Sequence, residues 1–395
     1  MYKISDTVSW VGKIDWELNS FHGEEYSTHK GSSYNSYLIR DEKTVLIDTV
    51  WKPFSKEFVS NLKNEIDLNK IDYIIMNHSE TDHSGALCDL MDEIPDTPIH
   101  CSKKGVSIIK GHHHKEWNFV EVKTGDTLDI GKNKLIFVEA TMLHWPDSMM
   151  TYMSGENILF SNDAFGQHYA SELMYNDKVD QDELYNEAIK YYANILTPFS
   201  KLVVKKINEV VELNIPISKI CPSHGIMWRE NPLQIITKYM EWAKDYQENQ
   251  ITIIYDSMWN ATRKMAEAIG EGIKAVDNDI AIKIYNSAKK DKNDIITEVF
   301  KSKMVLVGSA TINNGVLSST AAILEMIKGL KFVNKKAAAF GSYGWSGEGN
   351  KIITEQLKEA KFEVINDGIK TLWNPDENAL DQCRKFGEEL MKKYF

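Results

Sequence analysis

The chain has 395 residues, 43% of them hydrophobic, and a formal net charge of -11. That length suggests two or three domains of ordinary globular composition, and the acidic balance excludes the broad basic face that nucleic-acid binding requires. No run approaches the roughly 18 to 20 apolar residues that span a bilayer, and the polar start Met1-Tyr2-Lys3-Ile4-Ser5-Asp6 carries no secretory apolar core. Cys88, Cys101, Cys221 and Cys383 include no C-x-x-C pair, so no disulfide framework is encoded and a reducing cytoplasm is expected.

The first half mixes hairpins with longer connections. Ser36-Tyr37-Leu38-Ile39 and Val45-Leu46-Ile47 flank the polar turn Arg40-Asp41-Glu42-Lys43, which predicts an antiparallel hairpin. A helical pattern over 54–66 follows, then the apolar strand signal Tyr73-Ile74-Ile75-Met76 and the loop His78-Ser79-Glu80-Thr81-Asp82-His83. Two imidazoles and two carboxylates on one short loop repel unless a cation lies between them, so a metal pair is expected. One segment cannot close two coordination spheres. Further ligands are expected behind later strand signals: His144 after Leu135-Ile136-Phe137-Val138, Asp163 after Ile158-Leu159-Phe160, and His224 after Ile220-Cys221.

The expected ligand set is His78, Glu80, Asp82, His83, His144, Asp163 and His224. Three carboxylates and one hydroxide would balance two divalent ions, and Asp163, arriving from a different strand, is expected to bridge them. Asp147 is expected to orient an imidazole. His112-His113-His114 diverge along the chain before Lys115-Glu116 and are expected to face solvent, and His168 is expected to be a neighbour of the centre rather than a ligand. A second helical pattern covers 182–196.

After the polar stretch 244–250 strands and helices alternate regularly. Strands are expected at 251–255, 280–285, 304–307, 337–340 and 362–365, with helices at 262–275, 294–300, 320–327 and 351–360 between them. Such alternation predicts a doubly wound parallel sheet. Three loops then share the C-terminal edge of the strands: Ser257, Met258, Trp259, Asn260, Ala261 and Thr262; Ala310, Thr311, Ile312, Asn313 and Asn314; and Ser342, Tyr343, Gly344, Trp345, Ser346 and Gly347. Hydroxyls and free amides at a helix N-terminus suit a terminal phosphate, and the absence of G-x-G-x-x-G argues against a dinucleotide pyrophosphate. Trp259, Tyr343 and Trp345 suit a flat tricyclic ring.

The 78–83 loop resembles the H-x-H-x-D-H loop of the metallo-β-lactamase fold, with Glu80 in place of the second histidine. That exchange hardens the site and moves preference from zinc toward iron or manganese. The second half resembles flavodoxin, which implies FMN. Flavodoxin phosphate loops usually read T-G-N-T where this chain has Trp259-Asn260-Ala261-Thr262, and asparagine at the usual glycine position tolerates left-handed backbone. Together the halves resemble the flavodiiron proteins, through His78 to His83, Leu143-His144-Trp145-Pro146-Asp147-Ser148, Asn162-Asp163-Ala164-Phe165-Gly166-Gln167-His168, Pro222-Ser223-His224-Gly225 and Thr311-Ile312-Asn313-Asn314.

The resemblance implies an α/β chain with a metallo-β-lactamase-like αββα diiron domain over 1–249 and a flavodoxin-like FMN domain over 250–395. It implies reduction of dioxygen to water, of nitric oxide to nitrous oxide, or both, without choosing between them. His78, Glu80 and His144 would hold one iron and Asp82, His83 and His224 the other, bridged by Asp163. His22 and Tyr192 would lie near the bound gas. A head-to-tail homodimer or a dimer of dimers is implied, as is an external donor, since no rubredoxin module is encoded: either rubredoxin or a reduced deazaflavin coenzyme. Two other readings fit the same residues. One is a dinuclear zinc hydrolase with a regulatory flavin domain, the other a flavin electron carrier whose metal half is only a scaffold.

Overall fold

The computed structural model describes residues 1–212 and 214–395. Two compact units emerge, one of residues 1–192 and 199–243, the other of residues 193–198 and 244–395.

In the first unit the period-two pattern of the strands sorts side chains onto two faces. A seven-stranded sheet runs in the order Tyr2–Lys3, Val8–Trp10, Tyr37–Arg40, Thr44–Ile47, Tyr73–Met76, Ile99–Ser102 and Phe119–Val122. A five-stranded sheet runs Thr127–Asp129, Lys134–Glu139, Met149–Met153, Ile158–Asn162 and Lys219–Pro222. Tyr37, Ile39, Val45, Ile47 and Ile75 of the first sheet share one core with Phe137, Met149, Met153 and Phe160 of the second. The alternate residues Leu38, Leu46, Ile74 and Met76 share another core with Phe58, Leu62, Leu87 and Ile109 from helices Ser55–Glu65, Leu87–Met91 and Lys103–His113. A one-residue slip would exchange the two sets. Cutting one such fully buried leucine or isoleucine back to alanine costs about 2–5 kcal/mol, so register is strongly held.

The predicted hairpin forms, with Tyr37 opposite Ile47 and Arg40 opposite Thr44. The predicted helix over 182–196 is Gln181–Tyr191, passing into a π-helical turn at Tyr192–Leu196. Parallel pairing of Tyr73–Met76 with both Thr44–Ile47 and Ile99–Ser102 sends the loop after Met76 out of one sheet end.

In the second unit the strands lie in the order Ala281–Asn286, Gln250–Tyr255, Met304–Ala310, Lys336–Tyr343, all parallel. Chain order reverses between Gln250–Tyr255 and Met304–Ala310, where ligands of open α/β sheets collect. The strand expected at 362–365 forms at Glu363–Val364, and a further strand that was not expected, Ile369–Leu372, also pairs with Lys336–Tyr343. The helix Ala261–Val276 packs Met265, Ile269 and Ile273 onto Ile251, Ile253 and Leu306. Among the described residues, no helix is long and apolar enough to cross a membrane.

Candidate metal centre and ligand cleft

Each expected metal ligand follows the end of a strand or sits in a loop braced by one. The Asn77 amide donates to Asp48 Oδ1 at 2.8 Å, turning the chain after Tyr73–Met76 so that His78 enters the site. The Glu80 carbonyl accepts from the His83 and Ser84 amides at 3.0 and 2.9 Å, and the short helix Thr81–Ser84 aims Asp82 and His83 inward. Asn162 takes a left-handed φ of 58° at the end of Ile158–Asn162 and turns Asp163 the same way.

All seven expected ligands converge, and they divide into two groups around one carboxylate. Asp163 Oδ2 lies 3.3 Å from His144 Nε2 and 3.6 Å from His78 Nε2. Asp163 Oδ1 lies 3.2 Å from His83 Nε2 and 3.6 Å from His224 Nε2. Glu80 Oε2 completes the first group, 3.2 Å from His78 Nε2 and 3.8 Å from His144 Nε2. Asp82 Oδ2 completes the second, 3.0 Å from His83 Nε2 and 3.1 Å from His224 Nε2.

Apart from His78 Nε2 with Glu80 Oε2, these close approaches lack hydrogen-bond geometry. Both carboxylate oxygens of Asp82 and of Asp163, and both nitrogens of His83, are buried with no hydrogen-bond partner. An uncompensated buried charge costs several kcal/mol, so the arrangement suits cations between the donors. Burial alone would raise the Glu80 carboxyl, but His22 and His78 hold it down at about 2. Asp82 and Asp163 stay well below the usual carboxylate range against their own burial, because imidazoles surround them. Four imidazoles and three ionised carboxylates, with no thiolate, make a donor set suited to iron, manganese or zinc rather than to a soft ion.

Two of the four imidazoles, those of His78 and His224, are held from behind by outer partners, as metal-binding histidines commonly are. His78 Nδ1 lies 3.2 Å from Asp147 Oδ2, which also accepts the Ser79 amide at 2.7 Å. His224 Nδ1 donates to the Ser33 carbonyl at 2.7 Å. The His83 carbonyl accepts from the Thr49 amide at 2.8 Å. Asp48, whose carboxyl burial pushes up to about 7 despite nearby His83, supports the same loop. Ser33, Asp48 and Thr49 lie in segments whose sequence carries no metal signature, and only the fold brings them here.

His22 turns in, its Nε2 3.1 Å from Glu80 Oε1. Tyr192 does not. Its hydroxyl is 2.9 Å from Ser200 Oγ and its ring packs on Tyr239 and Trp242. The preceding Tyr191 takes the position expected of Tyr192: its ring packs on His168 and Tyr26, and it senses the charges of Asp163 and Asp82. The expectation failed because the paired tyrosines end a helix and only one can face the site. His168 is a neighbour, with Nδ1 2.7 Å from Ser32 Oγ and its ring 4.9 Å from that of His224. His112 and His114 are exposed as expected, whereas His113 turns inward, 3.0 Å from Ser84 Oγ.

In the second unit the three expected loops gather at one cavity of about 730 Å³, a size suited to a cofactor. Its lining includes Met258, Trp259 and Ala261, Ala310 to Asn314, and Ser342 to Ser346. Asn260 has the left-handed φ of 63° and stands at the N-terminus of Ala261–Val276. Ser257 Oγ is buried without a hydrogen-bond partner beside that terminus, an open donor where a phosphate would be held. Thr262 is spent internally, its hydroxyl 2.9 Å from Ser342 Oγ, and Gly347 borders a neighbouring cavity instead. Trp259 and Trp345 are 87% and 93% exposed at the mouth. Trp373 and Asn374 also line the cavity and were not anticipated. The turn signal Asn374-Pro375 after a strand was the available clue.

Comparison with known proteins agrees with both units. A model described as ODP family beta lactamase matches residues 33–225, and one described as flavodoxin matches residues 253–387. The anaerobic nitric oxide reductase flavorubredoxin of Klebsiella pneumoniae is 56% identical over 393 residues, 99% of this chain and 81% of that protein. The protein of the same name from Escherichia coli is also 56% identical, with 82% of its length covered. Among solved structures, rubredoxin oxygen:oxidoreductase from Desulfovibrio gigas matches with a TM-score of 0.95 at 36% identity, over 99% of this chain and 97% of that one. The flavodiiron protein of Giardia intestinalis matches with a TM-score of 0.94 at 34% identity, over 99% and 96%.

Proposed function

The chain belongs to the flavodiiron proteins, and from that premise we propose that it reduces nitric oxide to nitrous oxide, and dioxygen to water, at a non-haem diiron centre fed by FMN. It is an oxidoreductase with a metallo-β-lactamase-like half and a flavodoxin-like half. The diiron half is assigned to 1–249 and the FMN half to 250–395. The observation that carries the reading is the Asp163 carboxylate, which faces His78 and His144 with one oxygen and His83 and His224 with the other.

His78, Glu80 and His144 would hold one ion and Asp82, His83 and His224 the other, with the Asp163 carboxylate facing both groups. Iron bound there would supply a reducing Lewis acid for the gas, and FMN held in the second-unit cleft would supply the electrons. His22, partly exposed, holds a proton at Nε2 toward Glu80 Oε1 and is positioned to serve the substrate side. Burial keeps the Tyr191 phenol protonated, which makes it a hydrogen-bond donor rather than a base. Nitric oxide is the preferred substrate. Relatives named for nitric oxide reduction are 56% identical, against 36% for the neighbour named for oxygen.

The donor is a rubredoxin or a reduced deazaflavin coenzyme, and the names of the relatives favour the former. The enzyme works in the cytoplasm. The exposed tryptophans at the cleft mouth support a head-to-tail homodimer in which a partner covers the flavin. Anaerobically reduced protein mixed with nitric oxide should yield nitrous oxide catalytically, faster than it consumes dioxygen with the same donor. Stoichiometric reoxidation without turnover would reduce the protein to an electron carrier.

A further inference from the structure

The segment that carries His224 is held in part by one neutral residue, Asn35, in the turn between the strands Ser32–Tyr34 and Tyr37–Arg40, alongside Ser33, Tyr37, Asn162 and Gln167. Asn35 is fully buried, and its Nδ2 donates to the Pro222 carbonyl at 2.9 Å and the Gly225 carbonyl at 3.1 Å. Its backbone amide donates to the Ser223 carbonyl at 2.8 Å. Three of the four carbonyls around the histidine therefore end on one residue. Asn35 Oδ1 in turn accepts from Trp10 Nε1 and from Ser33 Oγ, both at 2.8 Å, so the amide has used every donor and acceptor it possesses. Ser33 closes the loop, accepting the Gly225 amide at its hydroxyl and the His224 Nδ1 proton at its carbonyl.

We infer that Asn35 is a positioning residue for one metal subsite only, setting the affinity of the Asp82, His83 and His224 group while leaving the His78, Glu80 and His144 group to Asp147. The inference rests on the diiron reading of the site. Its physical basis is that an imidazole contributes affinity only if its lone pair is already aimed, and outer partners of metal ligands typically carry about ten- to hundredfold in affinity. Asn35 touches no ligand of the other group. Asp147, which holds His78 Nδ1 and the Ser79 amide, touches none of this one. Asn35 and Asp147 thus brace different subsites, while Asp163 and the backbone bond from the His83 amide to the Glu80 carbonyl join the two groups.

The test uses the full chain with FMN retained and iron removed by chelation, titrated anaerobically with Co²⁺ and read by its visible absorption. Wild type should take up two equivalents, and failure at that step would tell against the two-metal reading rather than the brace. Asn35→Asp keeps the acceptor but turns an oxygen toward two carbonyls. It should retain one equivalent at wild-type affinity and weaken the other about ten- to hundredfold. Asp147→Asn should also spare one equivalent, and the double variant should hold neither tightly. The inference is overturned if the double variant keeps one tight equivalent, or if Asn35→Asp weakens both equivalents alike or neither. Should Asn35→Asp fail to retain FMN or fold, Ser33→Ala, which removes the acceptor for the Gly225 amide, must weaken one equivalent selectively, and equal or no loss there overturns it as well.

Discussion

His22 Nε2 stands 3.1 Å from Glu80 Oε1, on the side of the carboxylate opposite His78. Glu80 thus faces two imidazoles, one fully buried and one a third exposed, which separates a metal-holding role from a substrate-side role. His22→Ala should leave both irons and the flavin in place and slow gas reduction by at least tenfold, within the range of positioned proton donors. Iron analysis alongside turnover checks it, and a loss of iron equal to the loss of rate would make His22 structural.

Glu80 is where this loop departs from the zinc-binding pattern. Glu80→Ala should lower iron content and abolish gas consumption while the flavin spectrum stays unchanged. Glu80→His should raise the zinc-to-iron ratio of protein grown with both metals, because a neutral imidazole softens the site. Metal analysis reads both. Stoichiometric zinc in the unaltered protein would favour the hydrolase reading instead.

Ser257 Oγ is a buried hydroxyl with no protein partner at the start of Ala261–Val276. Hydrogen bonds to charged groups contribute about 1.5–3 kcal/mol. Ser257→Ala should therefore weaken FMN binding by about tenfold to a hundredfold, measured by flavin fluorescence on dilution, with the metal centre unaffected.

Lys335 is buried in the second unit, and its ammonium donates to the carbonyls of Phe300, Ser302 and Tyr246. Burial pushes its pKa down to about 7 from the ordinary 10.5. Between those values the unfolded chain binds the extra proton, so stability should rise with pH across that window and the gain should vanish as pH falls through 7. Urea midpoints at pH 7 and pH 10 test this, and Lys335→Met should flatten the difference.

Much of the site was legible because charge and valence leave few alternatives. His78, Glu80, Asp82 and His83 on one loop demand a cation, and apolar strands before Asp163 and His224 announce further ligands. The Asn260 turn was legible for a similar local reason, since few residues accept its backbone. The final strand, Ile369–Leu372, was not, because it is too short for periodicity to separate it from a turn.

Ligand identity and the hardness of the donor set are properties of residue type, and so the chain's order of amino acids was enough to state them. Which tyrosine of the pair Tyr191 and Tyr192 faces the centre depends on helix phase at a π-turn, and that is decided only once Tyr239 and Trp242 claim one of the rings. The same holds for Ser33 and Asn35, distant by about 190 residues from His224 and Gly225. Hydrogen bonds between neutral groups so far apart leave no local pattern, and only the tertiary fold brings their donors and acceptors together.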